Sequence, residues 1–234
     1  MNTNKELNLQ NQKLIYDFTK FTTTDYVGQM SCIIWFIKCN FRCLYCYNNS
    51  LVYTKEGNYS FLEILEFLKS RVGLLDAVVL SGGEASLHNL EIFCKKIKEL
   101  GFKIKLDTNG TNLNLVKNLT KKALVDFIAI DFKAPKYKFS QITATNLYEK
   151  VIVTIKYLIK IGFNFELRTT INTRLLDEKD INFMIETISC LNYKGIYYLQ
   201  NFIETSSNIG NIKKSRAIDK SLIDSKNLVI QYRN

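Results

Sequence analysis

Between residues 32 and 200 the chain alternates between short apolar runs and longer stretches of helical periodicity. The runs lie at residues 32–37, 77–80, 102–106, 127–130, 164–170 and 196–199. Their shortness and their β-branched and aromatic content predict buried strands. The intervening stretches carry apolar stripes: Phe61, Leu62, Ile64, Leu65 and Leu68, then Leu90, Phe93, Ile97 and Leu100. Ile152, Ile155, Leu158 and Ile159 make a third stripe, and Ile181, Met184, Ile185 and Ile188 a fourth. Gly101 and Gly162 stand where helix C-caps belong. Strands joined through helices pair in parallel, because each crossover returns the chain to the same end of the sheet. The pattern therefore predicts an α/β fold, either an open doubly wound sheet or a partly closed barrel.

No proline- or glycine-rich linker divides the 234 residues, which predicts a single domain. Its parts are an N-terminal extension (1–31), the alternating body (32–200) and a tail (201–234) packing on that body, with Leu228-Val229-Ile230 as a candidate last strand. An apolar share of 47% supports a substantial core, yet no run reaches the eighteen or so apolar residues of a membrane span. The first thirteen residues are polar, so the expectation is a cytoplasmic protein that keeps its N-terminus. The net charge of +10 comes from scattered lysines. Lys95, Lys96 and Lys98 alternate with Glu91 and Glu99, as on a solvated helix face. No basic stripe with interleaved aromatics appears, which argues against nucleic-acid binding.

Three of the six cysteines, Cys39, Cys43 and Cys46, fall within eight residues, directly after the first predicted strand. Three thiolates at C-x3-C-x2-C spacing can hold three irons of a cubane cluster and leave the fourth without a protein ligand. A structural zinc site would need a fourth ligand at comparable spacing. The one histidine, His88, and the isolated Cys32, Cys94 and Cys190 supply none. A disulfide framework suits a short secreted chain and not this one.

Functional residues of parallel α/β folds gather where strands end and loops lead into helices. Here the first strand ends in the cysteine loop and the second in Ser81-Gly82-Gly83-Glu84. The third ends in Asp107-Thr108-Asn109-Gly110 and the fourth in Asp131-Phe132-Lys133, while the fifth carries Arg168 and the sixth runs into Gln200-Asn201. Adjacent glycines let backbone approach a ligand closely, and Glu84 can accept from an amine. Asp107 and Asp131 suit a hard cation or ribose hydroxyls, and Lys133 and Arg168 suit a carboxylate. Together these imply a ligand with an amino-acid end and a sugar or base end.

On these residues the chain resembles the radical S-adenosylmethionine superfamily: Cys39-x3-Cys43-x-Tyr45-Cys46, Gly82-Gly83-Glu84 and the order of strands carry the resemblance. It implies a partial (β/α)6 TIM-like barrel of parallel strands, with a [4Fe–4S] cluster on Cys39, Cys43 and Cys46 and S-adenosyl-L-methionine on its open iron. By resemblance Tyr45 lies near the adenine, and Gly82, Gly83 and Glu84 hold the methionyl amine. Within the superfamily the chain is most similar to glycyl-radical-enzyme activases. The activating proteins of anaerobic ribonucleoside-triphosphate reductase come nearest, with pyruvate formate-lyase activating enzyme as a relative. Asp25-Tyr26-Val27-Gly28, Leu106-Asp107-Thr108-Asn109-Gly110 and Asp131-Phe132-Lys133-Ala134-Pro135 carry this narrower likeness, and a weaker one runs through Arg168 to Gln200. It implies that Asp107, Thr108 and Asp131 form a monovalent cation site, and that Asn109, Lys133, Arg168 and Gln200 join them in contacting the cofactor. Val27 and Ala85 replace prolines usual in the family.

The activity so implied is reductive cleavage of S-adenosylmethionine to a 5′-deoxyadenosyl radical, which takes hydrogen from a glycine of anaerobic ribonucleotide reductase. The expected partners are that glycyl radical enzyme and a low-potential electron donor such as flavodoxin or ferredoxin, under anaerobic conditions. The alternative is a radical enzyme acting on a small molecule, of the 7-carboxy-7-deazaguanine synthase type.

Overall fold

The computed structural model describes residues 11–233. The first ten residues of the expected extension, and Asn234 at the end of the tail, lie outside the described residues. The chain divides into two compact units. One holds the residues up to Asn40, Ser50–Thr108 and Asn112–Ile128; the other holds Phe41–Asn49, Asn109–Thr111 and everything from Ala129 onward.

The first unit is built on β1 (Lys13–Thr22), β2 (Ser31–Phe36), β3 (Tyr59–Ser60), β4 (Ala77–Gly82) and β5 (Lys103–Thr108), in the order β3-β1-β2-β4-β5. β2, β4 and β5 are parallel, with Cys32 opposite Val78 and Val78 opposite Ile104. All three of these residues are fully buried, as expected of parallel strands covered on both faces. β1 was not anticipated from the sequence. It pairs antiparallel with β2 and β3, and Ile15 is its one buried residue. Its apolar residues, Leu14, Ile15, Tyr16, Phe18 and Phe21, are broken up by Asp17, Thr19 and Lys20, so it lacks the longer apolar run of its neighbours. Helix Phe61–Lys69 starts at a capping box: Ser60 Oγ accepts from Glu63 N–H, and Glu63 accepts from Ser60 N–H at 2.8 Å. Of the predicted stripe, Phe61, Ile64, Leu65 and Leu68 are buried, whereas Leu62 is exposed. Phe61 stacks at 4.3 Å on Phe93 of helix Glu91–Glu99. Gly101 follows that helix with φ +92°, the left-handed conformation that closes a helix.

The second unit carries β6 (Phe127–Asp131, from Ala129 onward in this unit), β7 (Phe165–Ile171), β8 (Ile196–Asn201) and β9 (Val229–Arg233), in that order. β7, β8 and β9 are parallel, so the apolar run near residue 229 does form a last strand. The two faces of this sheet differ. Leu167, Thr169, Ile171, Tyr197 and Leu199 point one way and are buried. Glu166, Arg168 and Thr170 alternate with them on β7, and the register sets Tyr198 beside Arg168, and Gln200 between Thr170 and Arg233. Helices Tyr148–Lys160 and Glu178–Cys190 bury Ile152, Ile155 and Leu158, and Ile181, Met184, Ile185 and Ile188, as the periodicity predicted. Helices Asn49–Tyr53, Leu113–Lys121 and Lys136–Thr143 add to the helices expected from the apolar stripes. Among the described residues no helix is long and apolar enough to cross a membrane. The α/β class with parallel strands is thus the one expected.

Candidate functional site

In the first unit the end of β2 and the glycine turn after β4 are fitted to each other. Gly83 N–H donates to Phe36 O at 2.9 Å and Glu84 N–H to Lys38 O at 2.8 Å. A Cβ on Gly83 would run into the Lys38 carbonyl, and one on Gly82, at φ +118°, into the Phe36 backbone. Both glycines are therefore required by close approach of the turn to the chain leading into Cys39. Lys38 itself sits at φ +65°, with its N–H on Leu51 O at 2.7 Å. His88 Nε2 lies 2.9 Å from Ile37 O and its ring stacks on Phe36, which makes it a brace for the same segment. Burial, the largest influence, lowers its pKa.

Glu84 is buried, and its Oε1 accepts from Ser86 N–H at 3.1 Å and from Thr108 Oγ1 at 2.7 Å. Thr108 thus serves Glu84. Asp107 accepts from Ser81 Oγ at 3.1 Å, and Lys105 Nζ stands 3.6 Å away. Lys105 is almost wholly buried and donates to Asp25 O at 2.6 Å. Thr22 Oγ1 donates to the Asp25 carboxylate at 2.6 Å, and Tyr26 packs against Phe127. The Asp25-Tyr26-Val27-Gly28 motif is accordingly an anchored loop, with Gly28 at φ +74°.

In the second unit the remaining cysteines occupy a loop pinned from two directions. Arg42 and Leu44 donate their N–H groups to Thr143 O and Ile142 O at 2.9 and 3.0 Å, using carbonyls that a helix end leaves unpaired. Leu44 O and Cys46 O accept from Gly210 and Ile209. Cys43 is buried, and a turn links Cys46 N–H to Cys43 O at 2.9 Å. Burial pushes the Cys43 thiol up to about 11 against the opposing pull of Lys133.

Tyr45, between them, is buried, and its hydroxyl meets no hydrogen-bond partner among the described residues. Lys133 Nζ lies 5.8 Å from the centre of its ring. From there charges alternate. Lys133 is 3.0 Å from Asp131, Asp131 is 2.9 Å from Arg168 Nε, Arg168 is 4.0 Å from Glu166, and Glu166 is 3.7 Å from Arg233. Arg233 lies over the Tyr198 ring at 3.3 Å. Desolvation works against the Asp131 carboxylate, but Arg168 and Lys133 outweigh it and bring its pKa to about 2. Burial likewise opposes the Lys133 ammonium, and Asp131 overrides it, holding the pKa well above the usual lysine value. The five groups carry three positive and two negative charges, one positive charge in excess.

The predicted residues thus fall into two sets: Cys39, Gly82, Gly83, Glu84, Asp107 and Thr108 in the first unit, and Cys43, Tyr45, Cys46, Asn109, Asp131, Lys133, Arg168 and Gln200 in the second. Asn109 is buried and closes its own turn, accepting from Thr111 N–H and Oγ1 at 3.1 and 2.7 Å. Asp107, Thr108 and Asp131, expected as cation ligands, have the protein partners just described. Among the described residues no group of three or more His, Cys, Asp or Glu side chains converges as ligands of one ion do. A cubane spreads its thiolates over separate irons and does not require that convergence. Lys105, Glu166 and Arg233 were missed. Alternation on β7 places Glu166 on the face of Arg168 and offered a signal; nothing local reveals the reach of Arg233.

The Radical SAM superfamily model matches residues 33–188. Two candidate glycyl-radical enzyme activating enzymes of Methanocaldococcus jannaschii are similar to this chain. One is 30% identical over 81% of this chain and 80% of that protein, the other 29% identical over 83% and 74%. A probable GTP 3′,8-cyclase of Pyrococcus horikoshii is 27% identical over 61% of this chain and 46% of that protein. Among solved structures, Streptococcus suis SuiB bound to S-adenosylmethionine superposes with a TM-score of 0.68 at 15% identity, over 85% of this chain. The chain spans about half (48%) of that protein, and the likeness shows the fold.

Proposed function

The chain belongs to the radical SAM superfamily, and from that premise we propose that it is a glycyl-radical-enzyme activase. The observation that carries this reading is the similarity to the two candidate activating enzymes over about four-fifths of the chain (81% and 83%). The match to the GTP cyclase covers less than half (46%) of that protein.

The residues present fit the cofactors of this chemistry. Three thiols stand within eight residues, a buried tyrosine hydroxyl has no partner among the described residues, and the charge row beside it has one positive charge in excess. When bound, a [4Fe–4S] cluster and S-adenosylmethionine supply one-electron cleavage of the sulfonium to methionine and a 5′-deoxyadenosyl radical. Cys39, Cys43 and Cys46 would hold the cluster. Tyr45 offers its hydroxyl and ring to the adenine end. Lys133 and Arg168 present their charge to the methionyl carboxylate, and the Gly82-Gly83-Glu84 turn receives the amine. Such fixed positioning is the protein's share of cofactor chemistry. With the cofactors in place, a Cα hydrogen of the partner's glycine would pass to the 5′ carbon and leave the unpaired electron on the glycine.

The partner proposed is anaerobic ribonucleoside-triphosphate reductase, with a low-potential flavodoxin or ferredoxin supplying the electron. Its folded glycine loop must swing out to be reached. The test is electron resonance on the reduced, reconstituted protein with S-adenosylmethionine, with and without the reductase. A doublet that needs the reductase and disappears when the reductase glycine becomes alanine supports the activase. Rapid consumption of a small molecule with no protein radical refutes it, and the GTP cyclase similarity makes a nucleotide the first substrate to try.

A further inference from the structure

We infer that residues 204–219 act as a strap that positions the loop bearing Cys43 and Cys46, with Gly210 as its fitted contact and Arg216 as its far anchor. The strap meets the loop at two backbone hydrogen bonds, Gly210 N–H to Leu44 O at 2.7 Å and Ile209 N–H to Cys46 O at 3.0 Å. These carbonyls flank Tyr45, so the strap fixes the backbone on both sides of it. The approach is close enough to demand glycine. A Cβ at Gly210 would lie 2.8 Å from Leu44 Cβ and 2.9 Å from Leu44 O, where no such contact is tolerated without displacement.

The strap is rigid near that contact and tethered beyond it. Asn208 is buried and closes the turn with both ends of its amide, Nδ2 donating to Ile212 O at 2.9 Å and Oδ1 accepting from Ile212 N–H at 2.6 Å. Asn172, at the end of β7, donates to Lys213 O at 2.9 Å. Thr173 N–H donates to Ser215 Oγ at 2.8 Å, and Thr173 Oγ1 donates to Arg216 O at 2.9 Å. Arg216 then grips Glu178 in a fork, Nη1 to Oε1 at 2.6 Å and Nη2 to Oε2 at 2.7 Å. A bidentate pair of this kind fixes direction as well as distance. Glu178 also accepts from Asp219 N–H at 2.7 Å. The loop is therefore held between the end of helix Lys136–Thr143 on one side and the strap on the other. A loop whose ligands bind separate irons has to hold their spacing, and outer partners of this sort orient ligands in metal sites generally.

The inference concerns the same site and rests on the proposed cofactor assignment only in its second arm. In the first arm, Gly210→Val and Arg216→Gln are made in the full chain, and alkylation of each cysteine of the metal-free protein by iodoacetamide is followed by mass spectrometry. Cys43 and Cys46 should react faster in both variants, while Cys94 and Cys190 keep wild-type rates. In the second arm, the reconstituted variants should lose iron to a chelator about tenfold faster than wild type. Unchanged Cys43 and Cys46 rates in both variants would overturn the strap, and so would equal acceleration of all cysteines, which reports general loosening. Wild-type protein that assembles no cluster would refute the cofactor reading alone, and the alkylation arm would still decide the strap.

Discussion

Thr108 donates its hydroxyl to Glu84 Oε1 at 2.7 Å, joining the end of β5 to the buried carboxylate of the glycine turn. Removing that donor takes one hydrogen bond from an oxygen that also accepts from Ser86 N–H. Thr108→Val should cost about 1–3 kcal/mol of stability, as the loss of a buried donor to a carboxylate does. It should also weaken S-adenosylmethionine binding, with Thr108→Ser restoring both. Denaturant unfolding and equilibrium dialysis measure the two effects. A valine variant as stable and as tight as wild type would sever the link between Thr108 and Glu84.

Gly83→Ala drives a methyl group into the Lys38 carbonyl, one residue before Cys39. We expect a loss of about 1–3 kcal/mol from overpacking and poorer iron retention. Urea unfolding of the metal-free protein and iron analysis of the reconstituted one provide the readouts. An alanine variant indistinguishable in both would mean that the turn yields freely.

Anaerobically reconstituted protein should hold about four irons per chain. Alanine at Cys39, Cys43 or Cys46 should abolish stable assembly, and alanine at Cys32, Cys94 or Cys190 should not. The latter three are a buried residue of β2, a buried helical residue and an exposed residue at a helix end. Finding Cys94 as necessary as Cys43 would overturn the three-thiolate assignment.

Lys133→Ala removes the ammonium beside Tyr45 and leaves Asp131 to Arg168. S-adenosylmethionine should bind more weakly by ~1.5–3 kcal/mol, the scale of a charge-assisted hydrogen bond, with iron content unchanged. Calorimetric titration tests this, and unaltered affinity would remove Lys133 from the cofactor site.

Asp131 has a pKa of about 2 in the fold, below its ordinary 3.8. A carboxyl depressed by folding contributes stability above its unfolded pKa and loses it as pH falls toward the folded value. The contribution is roughly 2 kcal/mol at neutral pH, with about half gone by pH 3. The stability advantage of wild type over Asp131→Asn should therefore shrink on acidification from pH 5 to pH 3. Unfolding curves across that range that keep a constant gap would show that Asp131 is not held by its two cations.

The chain's local chemistry determined its class and the residues worth watching. Short β-branched runs and stripes such as Ile181, Met184, Ile185 and Ile188 encode strand, helix and buried face within a few positions, and the structure follows them. The cysteine spacing is equally local, as is the gathering of polar residues just after strands. β1 escaped because Asp17, Thr19 and Lys20 break up its apolar residues, as befits a strand paired antiparallel with Ile15 alone buried. Other properties were decided only by the tertiary structure. Gly82 and Gly83 are glycines because Phe36 and Lys38, over forty positions earlier, leave no room for a Cβ. Thr108 turns to Glu84, Lys105 reaches back to Asp25, and Gly210 closes on Leu44, contacts that no sequence window spans. Periodicity records how each segment meets water, whereas the partner of a buried charge or a missing Cβ depends on which distant segments folding brings within 3 Å.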